Sequence, residues 1–159
     1  MPIWKRARKD LVVPEPNEKK FTVVENGSVV IRVKPTVVEN PEEFDNIFKK
    51  GERVGKIQIT SSEGFLKPAN LDVLLAIKRF KSEYSKFTGK HQLAGFYGDT
   101  SNSVFLKHIL NLYGNSVVLQ PPLKNRYKAK MDYIKTVLKG KSPIKYVFSP
   151  VKRIVLKDL

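Results

Sequence analysis

The chain has 159 residues, with 30 Lys and Arg against 15 Asp and Glu, a formal net charge of +15. It has no cysteine and only two histidines, which excludes a disulfide framework, a thiolate metal site, a cysteine nucleophile and a His-rich metal centre. An apolar share of 41% is ordinary for a globular chain. No apolar run approaches the ~20 residues that span a bilayer, and no hydrophobic leader follows Met1, so the expectation is a soluble, intracellular protein of cytoplasm or nucleoid with no membrane partner.

The charge is unevenly placed. Residues 1–63 carry 12 basic and 10 acidic side chains, a balance of +2, whereas residues 64–159 carry 18 and 5, a balance of +13. A surface built for solubility mixes both signs, so a one-signed half points to a polyanionic partner. DNA is the expected partner, with RNA as the alternative. A smaller cluster, Lys5, Arg6, Arg8 and Lys9 beside Trp4, reads as a basic arm able to follow phosphates. The expected organisation is a basic arm and linker over 1–20, a β-rich segment over 21–63, and a basic, helix-rich unit over 64–159.

In chain order, two β-branched runs flank Asn26-Gly27, which predicts a hairpin with a type I′ turn. Pro41 followed by Glu42 and Glu43 predicts a short helix, since proline and acids suit a first helical turn. Residues 56–60 alternate as a strand. Asn70 and Asp72 open the strongest helix signal, residues 70–87, whose stripe is Val73, Ile77, Phe80, Tyr84 and Phe87, with Gly89 as its stop. A short second helix is expected over 91–97, a turn at Gly98-Asp99-Thr100, and a third helix over 101–113 stopped by Gly114. Residues 116–119 read as a strand. A fourth helix over 125–139 carries the stripe Tyr127, Met131, Ile134 and Leu138. Residues 144–148 and 151–156 read as strands around Ser149-Pro150, a C-terminal β-hairpin. The fold class is therefore α+β.

Leu93, Ala94, Tyr97, Gly98 and Val104 combine a small residue, a glycine four positions later and a polar start to the next helix. Residues 70–120 thus resemble a winged helix-turn-helix DNA-binding domain, with Asp99 and Lys107 departing from its apolar positions. The resemblance implies DNA binding, regulatory in kind, with no cofactor. The third helix would read bases through Ser103, Lys107 and Asn111, at i, i+4 and i+8, while Thr100, Ser101 and Asn102 hold a phosphate at its N-terminus. Lys78, Arg79, Lys81, Lys86, Lys90, Lys124, Arg126, Lys128 and Lys130 would supply positioning charge. By the same analogy the β-rich segment would form a homodimer or hold another protein.

Two other readings fit the charge. A Mg²⁺-dependent nuclease would draw its carboxylates from Glu63, Asp72, Glu83 and Asp99, with Lys86 one turn from Glu83, although no tight Asp…Glu-x-Lys spacing occurs. A structural nucleic-acid packaging protein would need only the arm and the Lys-rich half.

Overall fold

The computed structural model describes residues 20–61, 71–114 and 116–157. The basic arm (Lys5, Arg6, Arg8) and Glu63 lie outside these residues, as do the side chains of Tyr84, Phe87, His91, Val104 and Phe105.

A six-stranded mixed sheet organises the chain, in the order β1-β2-β3-β4-β6-β5. Its strands are β1 (Phe21–Asn26), β2 (Val29–Val37), β3 (Arg53–Ser61), β4 (Gly95–Thr100), β5 (Val117–Leu119) and β6 (Lys152–Lys157). The helices are α1 (Leu71–His91), α2 (Ser103–Leu112) and α3 (Leu123–Leu138), with short 3-10 helices at Pro41–Phe44 and Ile144–Phe148. The protein is α+β. No described helix is long and apolar enough to cross a membrane.

β1, β2 and β3 form an antiparallel meander, and β3 then pairs β4 in parallel after the crossover through α1. β4 and β5 both run antiparallel to β6, so they are parallel to each other, joined by α2. The sheet is thus continuous from residue 21 to residue 157. One face carries Val29, Ile31 and Val33 of β2, Phe96 of β4, and Ile154 and Leu156 of β6. These pack with Val73, Ala76, Ile77 and Phe80 of α1 and with Ile109 beside Tyr113 from α2 and its end. The expected stripe of α1 is therefore the stripe that is buried, as far as its side chains are described. A smaller core on the opposite face holds Val38, Phe44, Phe48, Val54, Tyr97 and Val155.

Several local expectations change. The hairpin forms, but its two loop residues are Gly27 and Ser28, with Asn26 already paired to Val29. Only Gly27 of that pair has positive φ (59°), the pattern of a type II′ turn. The short helix after Pro41 is a single 3-10 turn. α1 runs past Gly89 to His91, and Gln92 takes the left-handed conformation at φ 54°.

The largest change falls on the helix-turn-helix. No helix spans 91–97; residues 95–100 are the interior strand β4. Gly98 is a strand residue without positive φ, so it makes no turn. The cause is two-sided burial: Phe96 enters one core and Tyr97 the other, which erases the alternation that marks a strand. Gly95 confirms the crowding, since a Cβ there would lie 2.5 Å from the Leu156 carbonyl and 2.8 Å from the Phe48 ring. The expected wing strand at 116–119 exists as β5, inside the same sheet. The C-terminal hairpin does not form, because β4 and β5 occupy both edges of β6; residues 144–148 turn into a 3-10 helix instead.

Candidate nucleic-acid interface

Strand period places alternate residues of β2 and β3 on the face opposite α1 and α2. There Arg32 stands opposite Gln58, Lys34 opposite Lys56, and Thr36 opposite Val54. Lys20, just before β1, donates from Nζ to Gln58 Oε1 at 2.6 Å and joins this surface. α3 lies over the same face, with Asn125, Lys128, Ala129, Asp132 and Tyr133 turned toward Lys34, Lys56 and Gln58 across an open cleft of about 1360 Å³.

The cleft has a structural origin. The parallel β3–β4 ladder holds only two pairs, Gly55 with Phe96 and Lys56 with Tyr97. Beyond them β3 continues to Ser61 and β4 to Thr100, each without the other as a partner, and the strands part. Residues 57–60 line one wall and residues 98–102 the other. A crevice at the carboxyl ends of parallel strands is the usual ligand position in open α/β sheets.

Lys56 is the most constrained cation here. Burial pushes its amine below the usual lysine range, and Lys128 of α3 adds repulsion in the same direction. Asp99 and Asp132 oppose this shift and Arg153 adds to it, but Asp99 is otherwise engaged. Its two carboxylate oxygens accept from Arg153 Nε at 2.8 Å and Nη2 at 3.0 Å, with both side chains buried. In the same cleft, burial pushes the Tyr97 hydroxyl the other way, above the usual tyrosine range.

The residues expected to bind DNA are dispersed. Thr100, Ser101 and Asn102 line the cleft at the start of α2. Thr100 Oγ1 accepts from the Asn102 amide at 3.1 Å, while Ser101 Oγ is buried without a hydrogen-bond partner among the described residues. Ser103, Lys107 and Asn111 form an exposed row on α2 and do not line the cleft, although Ile109 on the buried side of that helix reaches its floor between β3 and β4. Lys78, Arg79, Lys81, Lys86 and Lys90 are exposed on α1, which packs on the same sheet face as α2. Arg79 is spent on the Glu25 carbonyl and Glu83, and Lys81 on the Leu112 carbonyl. On the cleft side Lys124 and Lys128 are exposed. Arg126 buries an Nε without a partner among the described residues. Lys130 instead donates to the carbonyls of Val147 and Ser149 that close the 3-10 helix, and its amine is pushed down by desolvation.

The carboxylates of the nuclease reading do not converge. Asp72 accepts from Ser28 at the hairpin, in the α1 layer, and Glu83 pairs Arg79 further along the same helix, whereas Asp99 faces the other side of the sheet against Arg153. Among the described residues no three acids or histidines form a metal-holding group.

Sequence reasoning overlooked Lys20, Arg32, Lys34 and Lys56, because residues 1–63 are nearly neutral in sum. The acids of that stretch, Glu39, Glu42, Glu43, Asp45 and Glu52, gather around the first 3-10 helix and its flanks, and Glu39 and Glu43 line one end of the cleft. The signal was present as alternation: in Val29-Val30-Ile31-Arg32-Val33-Lys34 and Lys56-Ile57-Gln58-Ile59-Thr60 the polar residues share one face.

No protein-family model, no curated protein and no solved structure matches this chain.

Proposed function

We propose that this chain binds nucleic acid, with DNA as the expected partner, in the cleft between the open face of β2–β3 and helix α3. The phosphate backbone would lie along Lys34, Lys56 and Lys128, with Lys20 and Arg32 extending the track. The observation that carries this reading is the cross-strand pair Lys34–Lys56. Like charges directly opposite in a sheet are destabilising, and a third lysine faces them from α3. Asp99 and Asp132 offset part of the repulsion at Lys56, and a bound phosphate would offset it further. Thr36, Gln58, Thr60 and Asn125 would supply neutral hydrogen bonds around the track.

The reading implies binding without chemistry, in a regulatory or packaging role. It is tested by fluorescence anisotropy with labelled duplex DNA, and an RNA of the same sequence as a second arm. Lys34→Ala and Lys56→Ala should each weaken binding severalfold at fixed salt. Unchanged affinity in both variants would contradict the proposal.

A further inference from the structure

Helix α3 turns its apolar stripe outward. Tyr127 is 67% exposed, Met131 54% and Leu138 81%, and Phe148 of the adjoining 3-10 helix is 87% exposed. The sequence pattern predicts that this stripe is the buried side, yet α3 contributes no buried residue to either core. The helix is held by polar contacts on its other sides: Lys130 to the Val147 and Ser149 carbonyls, and Tyr133 Oη to the Pro143 carbonyl at 2.6 Å. An apolar strip exposed along one helix face marks an interaction site.

Its shape and charge select the occupant. Tyr127, Met131, Ile134 and Leu138 recur at steps of four, three and four, the narrow seam of helix-on-helix packing. At 100° per residue, Lys124, Lys128 and Lys135 fall together along one flank of that seam, toward the cleft. All three are exposed. The opposite flank holds Arg126 and Lys130, both half-buried: Lys130 is spent on the Val147 and Ser149 carbonyls of the 3-10 helix that carries the exposed Phe148, and Arg126 buries its Nε. A second copy of this chain is a poor fit, since two-fold pairing would set the lysine row against itself. A membrane surface calls for exposed cations on both flanks of the apolar face, and here the exposed cations line one flank.

We infer that the seam Tyr127–Met131–Leu138 with Phe148 is a docking surface for an amphipathic helix of a partner protein, one carrying acidic residues along the edge that meets Lys124, Lys128 and Lys135. The surface shares Lys128 with the nucleic-acid cleft and is otherwise separate from it.

The probe is a labelled synthetic peptide of about three heptads, with Leu at a and d and Glu at e and g. It is titrated with the full chain, beside a scrambled peptide of identical composition and one with Lys in place of Glu. Saturable binding of the ordered Glu peptide is expected. It should weaken by about tenfold or more in the variant Tyr127→Ser/Met131→Gln/Leu138→Gln, and severalfold in Lys135→Glu. The seam variant should melt at the wild-type temperature and keep wild-type DNA affinity, which separates this inference from the cleft reading. Phe148→Ser, outside the helix, provides an independent second variant. No binding, equal binding of the scrambled peptide, or an unaffected seam variant would overturn the inference. So would seam-dependent binding to phosphatidylserine vesicles or seam-dependent self-association in sedimentation, with no preference for the Glu peptide.

Discussion

Arg153 and Asp99 face each other across the β4–β6 ladder, and their side chains meet in a two-point ion pair, Nε to Oδ1 at 2.8 Å and Nη2 to Oδ2 at 3.0 Å. The guanidinium is fully buried between the rings of Tyr97 and Phe44, at 4.7 and 5.0 Å from their centroids, and Nη1 reaches the Glu43 carbonyl. The pair therefore ties the first 3-10 helix to the middle of the sheet.

Removing one partner strands the other charge in a dry core. Asp99→Asn should lower stability by about 3–5 kcal/mol, read as a shift of the denaturant midpoint. Asp99→Leu/Arg153→Met should recover much of that loss, because the desolvation penalty goes with the charges. A single Asp99→Asn variant as stable as wild type would show that the pair does not hold this corner.

Lys34 and Lys56 predict opposite effects on folding and binding. Lys34→Ala removes a like-charge neighbour across the ladder, so stability should stay level or rise by about 0.2–1 kcal/mol. DNA affinity should fall in the same variant. Chemical denaturation and anisotropy on one preparation distinguish this from general damage, in which both would fall.

The depressed amine of Lys56 gives a pH dependence with a defined sign. Between its lowered folded value and the ordinary lysine value the unfolded chain binds more protons, so stability rises with pH through that window. Nucleic-acid binding needs the charged amine, so affinity falls through the same window. Lys56→Arg keeps the charge throughout, and should flatten the affinity loss. Titration of the Lys56 side chain by NMR should place its midpoint below the ordinary lysine value of 10.5.

Gly95 and Gly55 mark where β4 is clamped. A Cβ at Gly55 would sit 2.5 Å from Val33 Cγ1 and 2.7 Å from the Phe96 ring, and one at Gly95 would meet backbone. Both Gly→Ala variants should destabilise by about 1–3 kcal/mol through overpacking. Gly95→Ala should be the worse, since the Leu156 carbonyl cannot swing aside as a side chain can. Gly89 has open space around its Cβ position and lies in a helix, so Gly89→Ala should be neutral or stabilising by up to about 1 kcal/mol.

Elements with one buried face were legible in the sequence. The hairpin, β3, α1 and α2 fall close to the expected residues because their polar and apolar positions repeat at a single period. β4 was not legible, since Gly95, Phe96 and Tyr97 are buried on both sides and carry no period. The stripe of α3 was legible as a helix, yet its partner was not. Periodicity reports that Tyr127, Met131 and Leu138 share a face and says nothing about which way that face turns. The cleft cations were hidden for a different reason. Lys34 and Lys56 lie 22 positions apart and become neighbours only through the β2–β3 register.

The central claim is that phosphate contacts lie on the cleft side of the sheet. It is tested most directly by the salt dependence of duplex binding in two triple variants. One is Lys34→Ala/Lys56→Ala/Lys128→Ala, and the other is Lys78→Ala/Lys86→Ala/Lys107→Ala in the α1–α2 layer. The account predicts that the cleft variant loses about 2–3 from the magnitude of the log–log slope, near 0.9 per phosphate contact removed, while the helix-layer variant runs parallel to wild type. A wild-type slope in the cleft variant, with the loss falling on the helix-layer variant, would contradict it.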